Sequence, residues 1–190
     1  MQLPLDLSVG AGSGSGDVMQ LLGEAIPRLE FDIGENGSLV LEARLRLDAE
    51  EELEPGTPAL DSYAPASEPL TLGSAGTLEL RDAYWESRFD AGIARLGKQQ
   101  IVWGRLDGVK VLDVLNPQSF REFIVDDFGD SRISLWSAYV DVFAGAWRVE
   151  AALIPDYTAH EIPEPGAWFE LTAPRFRFGA GPGEPALPAV

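Results

Sequence analysis

The sequence contains no cysteine, one histidine and 14 lysine and arginine residues against 31 acidic residues. Without cysteine, the chain forms neither disulfides nor thiolate metal sites. The formal net charge of −17 argues against nucleic acid as a partner, because phosphate contacts need clustered lysine and arginine. No stretch reaches the roughly 18 consecutive apolar residues of a membrane-spanning helix. A helical membrane protein is therefore excluded.

Apolar and polar residues alternate with a period of two along much of the chain, as in strands that have two different faces. In the clearest segment, Leu39, Leu41, Ala43, Leu45 and Leu47 alternate with mostly charged residues, after the hairpin-turn signal at residues 34–37. We predict an all-β fold, an antiparallel up-and-down meander of about eight strands. The predicted strands are residues 2–9, 27–33, 38–48, 77–89, 93–103, 132–142, 147–155 and 168–178.

The predicted connections alternate between long and short. Residues 49–76 are acidic and rich in Pro, Gly and Ser, which indicates a mobile loop of the disordered type. Residues 104–131 carry many apolar groups and the helix-start pair Asn116-Pro117, so we predict a structured loop with a short helix at 117–124. Residues 179–190 are predicted to be an irregular Pro/Gly tail. Bacterial outer-membrane barrels have this rhythm of short turns and long loops, which favours assigning residues 1–178 to a transmembrane β-barrel segment.

The two strand faces allow two interpretations. In a barrel the charged faces line a wet lumen and the aliphatic faces meet lipid. In a soluble sandwich the charged face is the exterior and the aliphatic face is the core. The barrel interpretation predicts that Leu41, Leu45, Val149 and Leu153 point outward and that the charged residues lie on the concave side. The predicted pore-lining residues are Glu42, Arg44, Arg46, Glu79, Arg81, Arg148, Glu150, Arg175 and Arg177.

Tryptophan placement also has two interpretations. The five tryptophans lie near predicted strand ends, where amphipathic rings settle at a membrane interface. In a soluble sheet they would be core residues. They are Trp85, Trp103, Trp136, Trp147 and Trp168.

Residues 80–84 and 97–104, the latter followed by Asn116-Pro117, together resemble segments of a proteobacterial porin-like family of outer-membrane β-barrels without an assigned function. Residues 80–84, Leu-Arg-Asp-Ala-Tyr, resemble the Leu-Arg-Glu-Ala-Tyr strand of that family. Residues 97–104, Gly-Lys-Gln-Gln-Ile-Val-Trp-Gly, resemble its Gly-Arg-Gln-x-x-x-Trp-Gly segment, which is likewise followed by Asn-Pro, here Asn116-Pro117. This chain has Asp82 and Lys98 where the family has Glu and Arg. Such barrels have more strands and end on an aromatic residue, so the resemblance implies that the chain is a fragment.

The resemblance implies an outer-membrane channel or export conduit, in which lumen charges select the solutes that pass. Expected partners are outer-membrane lipid and a small-molecule solute, with an export system as a further candidate. The expected localisation is the bacterial outer membrane, although residues 1–10 do not form a signal peptide. The alternative is a soluble secreted or periplasmic β-sandwich that binds carbohydrate or protein. The expected constriction-loop residues are Arg105, Lys110, Asn116, Pro117, Arg121 and Glu122.

The polar residues give little indication of catalysis. His160 is the only histidine and has no nucleophile motif near it in the sequence. Asp126, Asp127 and Asp130 do not have the spacing of a calcium loop, and the acidic run at 50–52 is typical of a solvated loop. We therefore expect no enzyme activity, no cofactor and no metal.

Overall fold

The structure is a computed structural model that describes residues 5–11, 18–48, 60–102, 115–121 and 130–163. These residues contain one 3₁₀ turn, Leu60–Ser62, and no α-helix, so the predicted all-β class is confirmed. None of their helical turns is long and apolar enough to cross a membrane. The strands are β1 Leu5–Ala11, β2 Val18–Ala25, β3 Arg28–Ile33, β4 Gly37–Asp48, β5 Leu70–Thr71, β6 Gly76–Phe89, β7 Gly92–Gln99, β8 Leu135–Ala144 and β9 Trp147–Leu153.

The described strands form one antiparallel sheet in the order β1-β2-β4-β6-β7-β8-β9. β3 pairs with β4 and β5 pairs with β6. β2 and β3 both pair with β4 and are separated only by Ile26-Pro27, where the Pro27 carbonyl accepts the Ala43 N–H at 3.2 Å. Proline has no N–H to give to a strand ladder, which accounts for the break. Among the described strands the sheet does not close on itself.

Short and long connections lie at opposite ends of the sheet. The turns at 34–36, 90–91 and 145–146 lie at one end, which we call the turn end. The connections 49–75 and 100–134 leave from the other end, which we call the loop end, and the chain after β9 also leaves from there. The predicted alternation of short and long connections is therefore confirmed between β3 and β9, while the predicted connection 155–167 lies partly outside the described residues.

A bulge in β6 keeps the two faces of the sheet distinct. Glu42 pairs with Asp82 and Ala43 pairs with Leu80, so Arg81 is an extra residue without a direct partner in the register. A shift of one residue moves every later side chain to the opposite face. The bulge thus places Leu80 and Trp85, which have opposite parity, on the same face.

Several sequence predictions need correction. Strand β2 was not predicted, because residues 18–25 show no clean alternation. Residues 60–75 are not a free loop as predicted: they contain the 3₁₀ turn, β5 and buried residues such as Tyr63. Residues 100–102 and 132–134 lie outside the strands. The predicted strand 168–178 and the tail 179–190 lie outside the described residues.

The predicted helix at 117–124 is absent from its described part, 117–121. Gln118 and Ser119 instead form β-bridges with Arg132 and Glu161. The Asn116 side chain is buried and accepts the Ile101 N–H at 2.8 Å while donating to the Ile133 carbonyl at 2.8 Å. It therefore joins two backbone segments beyond the ends of β7 and β8 and does not cap a helix.

Candidate functional site: the charged face and its cap

One face of the sheet carries most of its charged side chains, and we call it the charged face. A row of register partners, Ser38, Glu86, Arg95, Tyr139 and Ala152, crosses five strands from β4 to β9 on this face. The described residues that were predicted to line a pore lie on the same face as this row, with Arg81 at the bulge. They are Glu42, Arg44, Arg46, Glu79, Arg81, Arg148 and Glu150; Arg175 and Arg177 lie outside the described residues.

At the loop end, buried arginines are held by acidic partners. The Glu24 carboxylate on β2 accepts hydrogen bonds from the Nε atoms of Arg44 and Arg46, at 2.5 and 2.8 Å. Arg81 pairs with Glu42 at 3.2 Å and with the Asp130 carboxylate at 3.1 Å. Guanidinium groups bind carboxylates in fixed geometries. These pairs therefore fix three arginines side by side across β4 and β6.

Glu42 and Asp82 face each other across β4 and β6, so two like charges are in register. Like charges directly opposite one another destabilise a sheet. Arg28 offsets the repulsion by reaching Glu42 at 2.9 Å and Asp82 at 3.5 Å. Ser134 adds a hydrogen bond of 2.9 Å to Asp82.

The turn end has a second group of ion pairs, on a more exposed part of the face. Arg148 makes two hydrogen bonds of 2.9 Å to Asp141 and an ion pair of 2.6 Å with Glu150. Arg95 pairs with Glu86 at 2.6 Å. Exposed pairs such as that of Arg148 contribute little stability, whereas Glu86 in the Arg95 pair is buried.

The opposite face, which we call the apolar face, is aliphatic and largely exposed. Its exposed side chains include Leu78, Leu80, Trp85, Leu96, Val149 and Leu153. Leu41 and Leu45 share this face and are half-buried, so the predicted division of the four aliphatic residues from the charged ones is confirmed. Ala138 and Ala151 line a shallow groove of about 450 Å³ on it. The described strands provide no second sheet to cover this face.

The tryptophans take different positions. Trp85 and Trp147 are exposed on the apolar face, Trp147 at the turn end with 76% of its surface accessible. Trp136 lies at the loop end, where its indole N–H donates to the Ala66 carbonyl at 2.9 Å. Trp103 and Trp168 lie outside the described residues.

Segments of the long connections cover the charged face at the loop end. We call residues 60–69, 115–121, 130–134 and 154–163 together the cap. Asp130 supplies a backbone carbonyl to Arg44 at 3.1 Å and to Arg81 at 3.2 Å. The cap and the sheet together leave a cavity of about 10 Å³, lined by Arg44, Arg121 and Glu161 among others.

The cap contains three of the predicted constriction residues, Asn116, Pro117 and Arg121, and all three are buried. Arg105, Lys110 and Glu122 lie outside the described residues. His160 accepts the Gln118 N–H through Nδ1 at 3.0 Å, which gives it a structural partner. Within the described ranges, no group of three or more acidic or histidine side chains is arranged to hold a metal ion.

Hydrogen bonding within the cap also affects Asp156. Burial alone would raise the pKa of the Asp156 carboxyl, but hydrogen bonds from Ser67, Thr158 and the Trp136 backbone outweigh it and lower that pKa below its usual value. Asp156 is therefore a charged acceptor that joins residues 60–69 to residues 154–158 and to the start of β8 at Trp136.

Lys98 is the main site residue that the sequence did not indicate. It is 1% exposed, and its Nζ donates to the Ser67 carbonyl of the cap at 3.3 Å. By register it pairs with Trp136 and has the parity of Leu96 on the apolar face. Alternation alone would therefore predict an exposed side chain, whereas Lys98 is buried and contacts the cap at Ser67.

No protein-family model, curated protein or solved structure shows significant similarity to this chain. The two faces of the sheet and the cap are therefore the features of the chain that bear on its function.

Proposed function

We propose that the chain is part of a bacterial outer-membrane β-barrel of the porin-like kind. The apolar face contacts lipid, and the charged face lines an aqueous path for small solutes. The observation that carries this proposal is an inverted distribution of side chains. Arg44 and Arg81 on the charged face are each 3% exposed, whereas Leu96 and Leu153 on the apolar face are 60% and 72% exposed.

This distribution is costly in water. Apolar surface is driven out of water by about 25 cal/mol per Å², and a soluble sandwich packs the apolar faces of two sheets together. The described strands form one sheet whose aliphatic residues remain uncovered. In a bilayer the same arrangement is favourable, because barrel strands alternate apolar residues toward lipid with polar residues toward the lumen.

The proposal also requires closure. An open sheet edge would leave unpaired N–H and C=O groups in hydrocarbon, at several kcal/mol each. The described sheet has β1 and β9 at its two ends, so further strands must join these ends. Residues 168–178, predicted to be a strand, are one candidate. The resemblance to a family of larger single-chain barrels agrees with this requirement.

Transport in this proposal is passive and involves no catalysis. Lumen charges and pore width determine which solutes pass. The charged face presents ion pairs of both signs, such as Arg148 with Asp141 and Arg95 with Glu86. Selection then depends on the positions of these charges along the path.

The experiment is refolding of the whole chain into detergent and phospholipid vesicles. The proposal predicts co-flotation with vesicles, resistance to carbonate extraction and a folded form that migrates differently on gels when unheated. It also predicts single-channel conductance in planar bilayers. A protein that stays folded and monomeric in detergent-free buffer, and does not bind vesicles, would contradict the proposal and favour a soluble sandwich.

A further inference from the structure

One buried carboxylate, that of Glu161, joins the cap segments. Glu161 is 1% exposed. Its Oε2 accepts hydrogen bonds from the Tyr63 hydroxyl at 3.0 Å and from the Ser119 hydroxyl at 2.6 Å. Its Oε1 lies 3.8 Å from Nε of Arg121. The carboxylate therefore links residues 60–69 and 115–121 to the segment that follows β9.

The backbone of Glu161 makes the same junction. Its N–H donates to the Gln118 carbonyl at 3.0 Å, and its carbonyl accepts the Phe120 N–H at 2.9 Å. Two residues earlier, the Ala159 N–H donates to the Ser62 carbonyl at 2.7 Å. The segments are separated by 40 to 100 residues in sequence, and this junction joins all three of them at one residue, in addition to the contacts of Asp156 and Asn116 described above.

Polar contacts join the cap to the charged face. Asp130 binds Arg44 and Arg81 on that face, and a further cap contact, from Lys98 Nζ to the Ser67 carbonyl, involves a residue with the parity of the apolar face. Contacts of this kind exchange with water at small net cost. An apolar interface would instead expose aliphatic surface on separation. Water can replace these polar contacts when the cap leaves the face, whereas the buried side chains of Tyr63, Ala64 and Ile133 would then become exposed.

The space between the cap and the face is almost closed. A cavity of about 10 Å³ corresponds to roughly one water molecule. No solute larger than water fits between the cap and the arginines Arg44 and Arg46. If the charged face lines a path, the described structure represents its closed state at the loop end.

We propose that the cap is a gate over the aqueous path and that Glu161 is its latch. This inference depends on the proposed function, because a gate requires a channel. Loss of the Glu161 carboxylate removes its contacts with Tyr63, Ser119 and Arg121 together. The segments then separate, water enters over the charged face, and the path opens at the loop end.

The test compares Glu161→Ala with Glu35→Ala in the whole chain. Glu35 is exposed in the turn at the opposite end of the sheet, and its substitution changes the charge by the same amount. Hydrogen exchange in detergent micelles follows the cap amides of Phe120 and Ala159. Planar bilayers report conductance for the same preparations.

We expect roughly 10- to 100-fold faster exchange of these amides in Glu161→Ala, the effect of losing charged hydrogen bonds, and a conductance several-fold above wild type. Glu35→Ala should change neither. Unchanged exchange would overturn the latch, whether or not the protein conducts. Faster exchange with unchanged conductance, in a protein whose wild type conducts, would overturn the gate. A wild type that neither inserts nor conducts would refute the proposed function and the gate, while exchange would still decide whether Glu161 holds the cap.

Two milder variants keep the inference testable if Glu161→Ala does not fold. Tyr63→Phe and Ser119→Ala each remove one hydrogen bond to the same carboxylate oxygen. Each should accelerate cap exchange and raise conductance in the same direction, by less than the loss of the whole carboxylate. Wild-type exchange in both variants would overturn the role of the junction.

Discussion

Two neighbouring alanines on β9 provide a matched test of what covers each face. Ala151 and Ala152 are both exposed and are adjacent on the same strand. Ala151 pairs with Val140 on the apolar face, and Ala152 pairs with Tyr139 on the charged face. Substitution of each by arginine changes volume and charge equally. Any difference between the two variants therefore reports the surroundings of the two faces.

The expected difference follows from the length of β9. Strands rise about 3.3 Å per residue, so Ala151 lies about 13 Å along the strand from Trp147. With a tilt of roughly 40° this corresponds to about 10 Å of depth, close to the middle of an apolar band about 25 Å tall. Arginine at the midplane costs about 2–4 kcal/mol. Arginine on a water-exposed face changes stability by about 0.5 kcal/mol or less.

The assay is equilibrium unfolding by urea in phospholipid vesicles, followed by tryptophan fluorescence. Ala151→Arg should lower the free energy of unfolding by about 2–4 kcal/mol, and Ala152→Arg should leave it close to wild type. Equal effects of the two substitutions would refute the assignment of the apolar face to lipid. A larger effect of Ala152→Arg would mean that the assignment of the faces is reversed.

Three further substitutions test individual contacts. Gly97 has φ of +135°, and an added Cβ would lie 2.2 Å from a β6 carbonyl oxygen, whereas Gly145 has φ of +63° and open space around it. In urea unfolding, Gly145→Ala should lower the free energy of unfolding by about 1–2 kcal/mol, and Gly97→Ala should lower it by clearly more. Asn116→Ala leaves two buried backbone groups unpaired at about 1–3 kcal/mol each, and thermal unfolding should show a smaller loss for Asn116→Asp, which keeps the acceptor. Burial and the Glu161 carboxylate raise the pKa of Tyr63 above its usual value, so its contribution is complete below about pH 10 and is lost at higher pH. The protection of the cap amides against hydrogen exchange, relative to unprotected amides, should therefore fall above that pH in wild type and fall less in Tyr63→Phe. Identical pH profiles of protection in the two proteins would contradict this.

Local alternation was sufficient to predict most strands of the sheet, although not β2 or β5. Leu39 to Leu47 alternate so regularly that β4 is found to within one residue, and the turn signal at 34–37 places the hairpin that precedes it. These signals are local because successive side chains of a strand point to opposite faces of the sheet. The same rule predicted which charged residues of β4, β6 and β9 share a face.

The cap could not be predicted in this way. Tyr63, Ser119 and Glu161 come together from positions far apart in the chain, and no period connects them. The composition of 49–76 indicated a solvated loop, but partners elsewhere hold its described part in place. Asn116-Pro117 is common at helix starts, which is why the sequence predicts a helix there. In the structure the Asn116 side chain instead hydrogen-bonds to the buried backbone groups of Ile101 and Ile133.

Alternation of lipid contact along β9 would show directly whether the apolar face of the sheet contacts lipid. The chain has no cysteine, so single cysteines carrying a nitroxide label can replace each residue of Trp147–Leu153 in turn. In vesicles, lipid contact by the apolar face predicts high accessibility to lipid-soluble oxygen at 147, 149, 151 and 153. Water contact by the charged face predicts high accessibility to a water-soluble nickel reagent at 148, 150 and 152. Uniform accessibility to the water-soluble reagent at all seven positions would contradict it.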